Sequence, residues 1–144
     1  VGRVAAIGPV AGHCWVAPTP SARPVPALMI FGGRDPLNPP DGGEVKTPWG
    51  SVEYHPPVLE SFDRWRAFNR CAGEPQTTAT DRVREFHATG CPAGGEVRCL
   101  IVDDLGHHWP GGPRLLPPWI AGPASTRVDG ARLLCDFFQT HRLG

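Results

Sequence analysis

Glycine and proline set the strongest limit on how this chain can fold. The sequence contains 18 glycines and 18 prolines, a quarter of its 144 residues, and neither is well tolerated inside a long helix or strand. A content this high is typical either of disorder or of a fold built from short elements. Here the two residues separate apolar segments and form no repeat, so we expect one ordered domain with many loops.

Charge and hydropathy argue against two classes of partner. The sequence contains 14 basic residues (lysine and arginine) and 14 acidic residues (aspartate and glutamate). No block of like charge occurs, so we expect no nucleic-acid partner. No apolar run approaches the roughly 18 residues that cross a bilayer, so we expect no membrane partner. The sequence starts at Val1 in an apolar run without a signal-peptide pattern, which we interpret as processing or a missing upstream portion.

Apolar patterning predicts six secondary-structure elements. The segments 3–12 and 25–33 are apolar on both faces, as expected of strands buried in a parallel sheet. Helical periodicity with prolines before it and a glycine after it predicts a helix over 56–73. The remaining elements are strands at 81–90 and 96–106 and a helix at 125–141. This order predicts an α/β domain with a mostly parallel sheet and flanking helices.

The five cysteines leave at least one thiol unpaired, and their spacing fits no common zinc-binding pattern. Cys99 and Cys135 lie in apolar elements and are expected to be small buried side chains. Cys71 and Cys91 each lie at the polar end of an element beside glycine or proline. A disulfide between them is one arrangement that the sequence allows, and it would indicate an oxidising compartment.

An aspartate and a histidine each follow a predicted strand. Asp35 comes just after the strand that ends at Phe31, and His107 comes just after the strand that ends near Asp103. Ligand-binding and catalytic loops of parallel sheets lie outside the carboxyl ends of the strands. In the triad of an α/β-hydrolase the acid also precedes the histidine in the chain. The acid orients the imidazole, and the imidazole accepts a proton from the nucleophile. An ordinary turn-forming role for both residues is the alternative.

Three stretches of the sequence favour the catalytic interpretation of Asp35 and His107. They are "IFGGRDPLNPPDGGEVKTPWG", "PPVLESFDRWRAFNRC" and "GHHWPGG". With them the chain resembles the polyhydroxybutyrate depolymerase and feruloyl esterase family of α/β-hydrolases, over nearly its whole length. The most specific piece is Gly-His-x-Trp-Pro-Gly-Gly at 106–112. The resemblance implies that residues 1–144 form a single partial domain, the C-terminal part of an α/β-hydrolase fold.

The resemblance also assigns residues. It implies that Asp35 is the triad acid, that His107 is the general base, and that Cys71 and Cys91 are paired. His108 stands where members of the family usually carry threonine or another residue, so we expect it to take no part in proton transfer. The implied activity is hydrolysis of polyhydroxyalkanoate, feruloyl or similar esters, without a cofactor, by a secreted or periplasmic protein.

The nucleophile of that family is missing. It is a serine in Gly-x-Ser-x-Gly at a sharp turn between a strand and a helix, and none of the four serines stands in such a context. These serines are Ser21, Ser51, Ser61 and Ser125. The N-terminal strands and the nucleophile elbow of the fold would therefore be absent, and we expect the chain alone to be inactive.

A missing central strand would leave the segment 3–12 with an unpaired apolar edge. Such an edge pairs readily with another chain. We therefore expect either self-association through this edge or dependence on a separate N-terminal segment.

Two other interpretations use the same loops. One is a metal site built from His107, His108, Asp103 and Asp104, although adjacent histidines usually point in different directions. The other is a non-catalytic module that binds polymer or carbohydrate through loop tryptophans, which are Trp49, Trp109 and Trp119. If these indoles lay in one groove beside His107, they would belong to the ester pocket, and Trp109 is the candidate for contact with substrate.

Overall fold

A computed structural model describes residues 3–19 and 23–142 of the chain. The described residues contain six strands and three helices. In chain order they are β1 (Ala27–Gly32), β2 (Gly43–Lys46), β3 (Val52–His55), α1 (Val58–Phe68), β4 (Gln76–Thr80), β5 (Val83–His87), β6 (Val97–Val102), α2 (Pro118–Ala121) and α3 (Gly130–Thr140). Among them no helix is long and apolar enough to cross a membrane.

Four strands form the main sheet in the order β1-β6-β5-β4. The strands β1 and β6 run parallel, whereas β5 is antiparallel to both of its neighbours, β4 and β6. The short strands β2 and β3 form a separate antiparallel hairpin. The sheet is therefore mixed, with one parallel pair and two antiparallel pairs.

This topology corrects the predicted fold class. The prediction of a mostly parallel sheet, and with it the C-terminal part of an α/β-hydrolase, is wrong: the structure is a small domain with a mixed sheet and few helices. A two-residue turn at Asp81 and Arg82, both with positive φ, joins β4 to β5. A connection this short permits only an antiparallel pair, because a parallel crossover needs about a dozen residues or more.

The strands β1 and β6 do match their predictions. All six residues of β1 are buried, as are all but one of β6, because both strands are covered on both faces. On one face the helix α1 packs through Val58 and Phe62. On the other face α3 packs through Leu134 and Phe137.

The predicted strand at 3–12 is only partly formed. Its residues are exposed or half-buried, and it makes two isolated parallel bridges to β1, between Ile7 and Ala27 and between Val10 and Ile30. The backbone N–H groups of Ile7 and Ala11 donate to β1 and its approach, at Pro26 O and Ile30 O, both at 2.9 Å. This segment therefore extends the main sheet beyond β1 without being a regular strand.

The second long helix begins later than the pattern predicts. It starts at Gly130, where the Asp129 carboxylate accepts a hydrogen bond from Arg132 N and caps the helix. Cys135 on this helix is exposed, contrary to the expectation of burial, because Leu134 and Phe137 face the sheet instead. Cys99 in β6 is buried as expected, and burial raises the pKa of its thiol to about 12.

A disulfide joins Cys71, just beyond α1, to Cys91 in the loop between β5 and β6. This is the pairing that the resemblance implies. The bond ties the end of α1 to the sheet, where Asn69 provides a second connection. Its side-chain amide, fully buried, hydrogen bonds to the backbone of Val25 and Gly95.

Candidate active site

The parallel pair of strands determines where the predicted site residues meet. Phe31 pairs with Ile101 and Gly32 with Val102, so β1 and β6 end side by side at one edge of the sheet. The chain leaves β1 toward Asp35 and leaves β6 toward His107. The two loops therefore converge at the same edge, as expected for the carboxyl ends of parallel neighbours.

Asp35 and His107 are in direct contact. Nδ1 of His107 lies 2.8 Å from Oδ2 of Asp35. The other carboxylate oxygen accepts hydrogen bonds from the backbone N–H groups of Leu37 and Asn38, both at 2.8 Å. Asp35 is only 3% exposed, and these three contacts hold its buried carboxylate in one orientation.

The contact fixes the protonation pattern of His107. The hydrogen bond that Nδ1 of His107 donates to Asp35 raises the pKa of His107 above its ordinary value of 6.5, against the lowering effect of partial burial. A carboxylate only accepts, so Nδ1 carries the hydrogen and Nε2 of the neutral ring keeps its lone pair. Within the described residues no hydrogen bond reaches Nε2, which leaves it available as a proton acceptor.

Two backbone features position His107. Its N–H donates to Ala121 O at 2.6 Å, which anchors the loop against α2. The preceding residue must be glycine, since a Cβ at Gly106 would collide with the Ala121 carbonyl oxygen and would lie 2.8 Å from Gly122 Cα. The glycine of the Gly-His-x-Trp-Pro-Gly-Gly run is thus explained by close packing of two backbones.

A cavity of about 400 Å³ lies beside the imidazole. His107 and His108 form part of its wall, and the rest is formed by Val10, Ala11, Trp109, Pro113, Leu115 and Leu116. Among the described residues, no carboxylate, ammonium or guanidinium group lines this wall. Trp109 thus lies where the sequence predicted a substrate contact, although its contact with substrate stays a prediction.

His108 differs from its neighbour in burial and in its hydrogen-bond partner. Its ring is buried, and Nε2 donates to the carbonyl oxygen of Gly122 at 3.2 Å. It makes no contact with Asp35. The two adjacent histidines therefore have different environments, one beside an acid and the other against the backbone.

Asn38 is part of the site, and the sequence analysis missed it. Its backbone holds Asp35, its side-chain Nδ2 donates to Ala11 O at 2.6 Å, and its Oδ1 lies 3.0 Å from Nδ1 of His55. One residue thus joins the acid, the 3–12 segment and the end of β3. The signal was an asparagine three residues after an aspartate, a common turn pattern in which the carboxylate accepts from following N–H groups.

The four residues of the alternative metal site do not converge. Each of them hydrogen bonds to a different partner. His107 contacts Asp35, and His108 contacts Gly122. Asp103 pairs with Arg84, and Asp104 pairs with Ser125 and Arg127. In residues 3–19 and 23–142, no three histidine, cysteine or acidic side chains are grouped so that they could hold a metal ion.

The three tryptophans of the binding-module interpretation do not line one groove. Trp109 lies beside His107, whereas Trp49, in the turn between β2 and β3, and Trp119, in α2, are not part of that cavity wall. Both are highly exposed.

Each described serine hydroxyl hydrogen bonds to a group other than His107. Ser51 hydrogen bonds to Thr47, Ser61 accepts from Cys14 N, and Ser125 donates to Asp104. Ser21 lies outside the described residues. The part of the chain that the structure describes therefore brings together an acid and a base, and no serine hydroxyl in it is hydrogen-bonded to His107.

Comparison with known proteins gives one informative match. Over 156 aligned residues the chain is 29% identical to a protein of Nocardia uniformis subsp. tsuyamanensis described as "Putative esterase NocK". The alignment covers 92% of this chain and 43% of the relative, so the chain spans less than half of the relative's length. No family model matches the sequence. No solved structure matches it either.

Proposed function

We propose that this chain supplies the general base and the acid of a carboxylic ester hydrolase. The observation that carries the proposal is the contact of buried Asp35 with Nδ1 of His107, which leaves Nε2 free of hydrogen bonds within the described residues. The similarity to a protein described as an esterase supports the same class of reaction.

In the proposed reaction Nε2 of His107 takes the proton from a hydroxyl nucleophile as its oxygen attacks the ester carbonyl carbon. The Asp35 carboxylate stabilises the imidazolium that forms. The imidazolium then gives its proton to the departing alkoxide, so the alcohol leaves and an acyl-enzyme remains. Water, deprotonated by the same nitrogen, then attacks the acyl carbon, and the bond from this carbon to the nucleophile's oxygen breaks. The imidazolium returns its proton to that oxygen, so the acid is released and the hydroxyl is restored. The raised pKa of His107 is consistent with a ring that gains a proton beside a carboxylate.

The nucleophile is proposed to be a serine from a portion of the parent protein beyond these 144 residues. Two observations support this: the described serines are engaged elsewhere, and the similar protein is more than twice as long as the segment it shares with this chain. On this proposal the chain alone does not hydrolyse esters.

The partner portion is proposed to pair with the open edge at residues 6–11. Within the described residues, no hydrogen bond reaches the backbone N–H groups of Gly8 and Val10. Cavities of about 280 and 400 Å³ lie along the same segment, one lined by Ile7 and Pro9 and the other by Val10 and Ala11. An added strand would satisfy the edge, and without it self-association through the edge is the expected alternative.

The finer identity of the substrate is also a proposal. The family resemblance favours polyhydroxyalkanoate, feruloyl or related plant cell-wall esters, with Trp109 in contact with substrate. The Cys71–Cys91 disulfide is compatible with an extracellular location, and we propose that the protein is secreted or periplasmic.

The test compares the 144-residue chain with a longer protein that includes the residues encoded upstream. Hydrolysis of p-nitrophenyl butyrate is expected only from the longer protein, and His107→Ala there should lower kcat by about 10²- to 10⁴-fold. His87→Gln, which alters a half-exposed histidine on β5, is the matched control and should leave kcat unchanged. Stoichiometric labelling of the 144-residue chain by a fluorophosphonate probe would refute the division of the site.

A further inference from the structure

Large apolar side chains are concentrated on the loop that follows the two histidines. We call residues 109–119 the apolar loop. Its exposed members are Trp109 at 47%, Leu115 at 81%, Leu116 at 42% and Trp119 at 77%. Scattered exposed apolar residues are ordinary, but several on one short segment mark a surface that binds something apolar.

The base of this loop is firmly held. Gly106 N donates to Pro123 O at 2.7 Å, His107 N donates to Ala121 O at 2.6 Å, and Gly111 N donates to Ser125 O at 2.9 Å. The buried ring of His108 adds a side-chain hydrogen bond to Gly122 O. The exposed tip therefore projects from a fixed base, and His108 is the one side chain of the Gly-His-His-Trp run that joins the start of the loop to its end.

The loop also forms one wall of the cavity at the proposed base. Trp109, Leu115 and Leu116 line this cavity together with His107. The charged residue within the loop, Arg114, lines a different cavity with Pro118 and Gly122. Because no carboxylate or fixed cation among the described residues lines the wall beside His107, a charged group there would lose its hydration without gaining a partner while the imidazole is neutral.

We infer that the apolar loop binds the uncharged apolar group of an ester and that His108 is a positioning residue that holds the loop against His107. This inference rests on the proposed function, which it deepens by locating the surface that binds the apolar group of a neutral ester, an aliphatic or aromatic group of several carbons. It assigns His108 a role distinct from that of His107.

Binding is tested with N-alkyl acetamides, neutral ester analogues that are not readily hydrolysed, added to the 144-residue chain. The readout is the shift of the Trp109 indole N–H signal in two-dimensional NMR. Affinity should rise with alkyl length, by up to about fourfold for each added methylene. Hexanoate, which is of comparable length but charged, should bind at least tenfold more weakly than N-hexylacetamide at about pH 9, where the imidazolium form of His107 is suppressed.

Matched variants locate the binding surface. Leu116→Ala should weaken binding of N-hexylacetamide about five- to tenfold. Trp49→Ala, which removes an exposed apolar side chain outside the cavity wall, should leave it unchanged. Affinity that is independent of alkyl length, or equal losses in the two variants, would overturn the inference.

The role of His108 is tested in the longer, active protein. His108→Ala should raise KM for p-nitrophenyl hexanoate about tenfold while changing kcat less than twofold. His108→Gln, whose side-chain amide can place a donor near the position of Nε2 and so still donate to Gly122 O, should restore much of the affinity, which a general loss of folding would not allow. A fall in kcat with unchanged KM would contradict a positioning role.

The outcomes separate the two proposals. If the alkyl amides bind as expected but the longer protein does not hydrolyse esters, the proposed function is refuted and the apolar loop remains a binding surface. Hydrolysis that depends on His107 but not on the chemistry of the apolar loop would refute this inference and leave the proposed function.

Discussion

His107 and Asp35 are 72 residues apart in the chain, yet Nδ1 of the histidine lies 2.8 Å from Oδ2 of the aspartate. Two strands account for this contact: β1 and β6 run parallel and end at the same edge, and each is followed directly by the loop that carries one of the residues. The proximity depends on this one strand pair, and the antiparallel direction of the other strands does not affect it.

Asp35→Asn should lower the pKa of His107. The hydrogen bond that His107 donates to the carboxylate is the main cause of the raised value, and partial burial, which acts in the opposite direction, would remain in the variant. The measurement is an NMR titration of the imidazole C2 proton in the 144-residue chain, which needs no activity. An unchanged pKa would contradict the proposed acid–base pair. His87→Gln, which changes a histidine on β5 outside the site, serves as the control.

The stability of the chain should depend on pH through the same histidine. The pKa of His107 in the folded state is raised above the unfolded value of 6.5, so its protonated form contributes stability that is fully present below pH 6.5. This contribution is lost as the pH rises through the folded-state pKa. The melting temperature of the wild type should therefore exceed that of His107→Gln by more at about pH 6 than at about pH 9. A constant difference across this range would rule out the linkage.

The elements that position the site could be predicted because burial and sequence pattern coincide in them. The strands β1 and β6 are apolar on both faces, and α1 has prolines before it and a buried stripe that includes Val58 and Phe62. Asp35 and His107 follow the two buried strands directly. A correct identification of the strand ends was therefore sufficient to bring the acid and the base together.

The direction of the remaining strands was harder to predict. The Asp81–Arg82 turn carries no glycine, although both residues have positive φ, so the sequence lacks the usual sign of a tight hairpin. The strands β2, β3 and β4 are short and mostly exposed, and their stability comes from pairing rather than from an apolar pattern. Asn38 was missed because its role depends on partners distant in sequence, such as His55.

Loss of the disulfide should destabilise the fold. The Cys71–Cys91 bond closes a loop with a sequence separation of 20 residues, for which chain entropy gives about 3 kcal/mol. Cys91→Ser should therefore lower the free energy of unfolding by about that amount in urea titrations. Cys135→Ser, at an exposed free cysteine, is the control and should have little effect. Equal stability of the two variants would show that the bond contributes nothing beyond local packing.

Gly106→Ala should disturb the site without altering any side chain in it. The added methyl group would meet the Ala121 carbonyl oxygen, which accepts the hydrogen bond from His107 N. The loop must shift to relieve the overlap, at a cost of about 1–3 kcal/mol in the free energy of unfolding. We also expect the pKa of His107 to fall toward its ordinary value, because the shift of the loop draws the ring away from Asp35.

Gly12→Ala is the matched control, since the atom nearest to its added Cβ, the Val10 carbonyl oxygen, would lie at 3.8 Å. Urea titration and the imidazole titration together check both effects, and a Gly106→Ala chain that matches the control in both would show that this close backbone approach does not position the base.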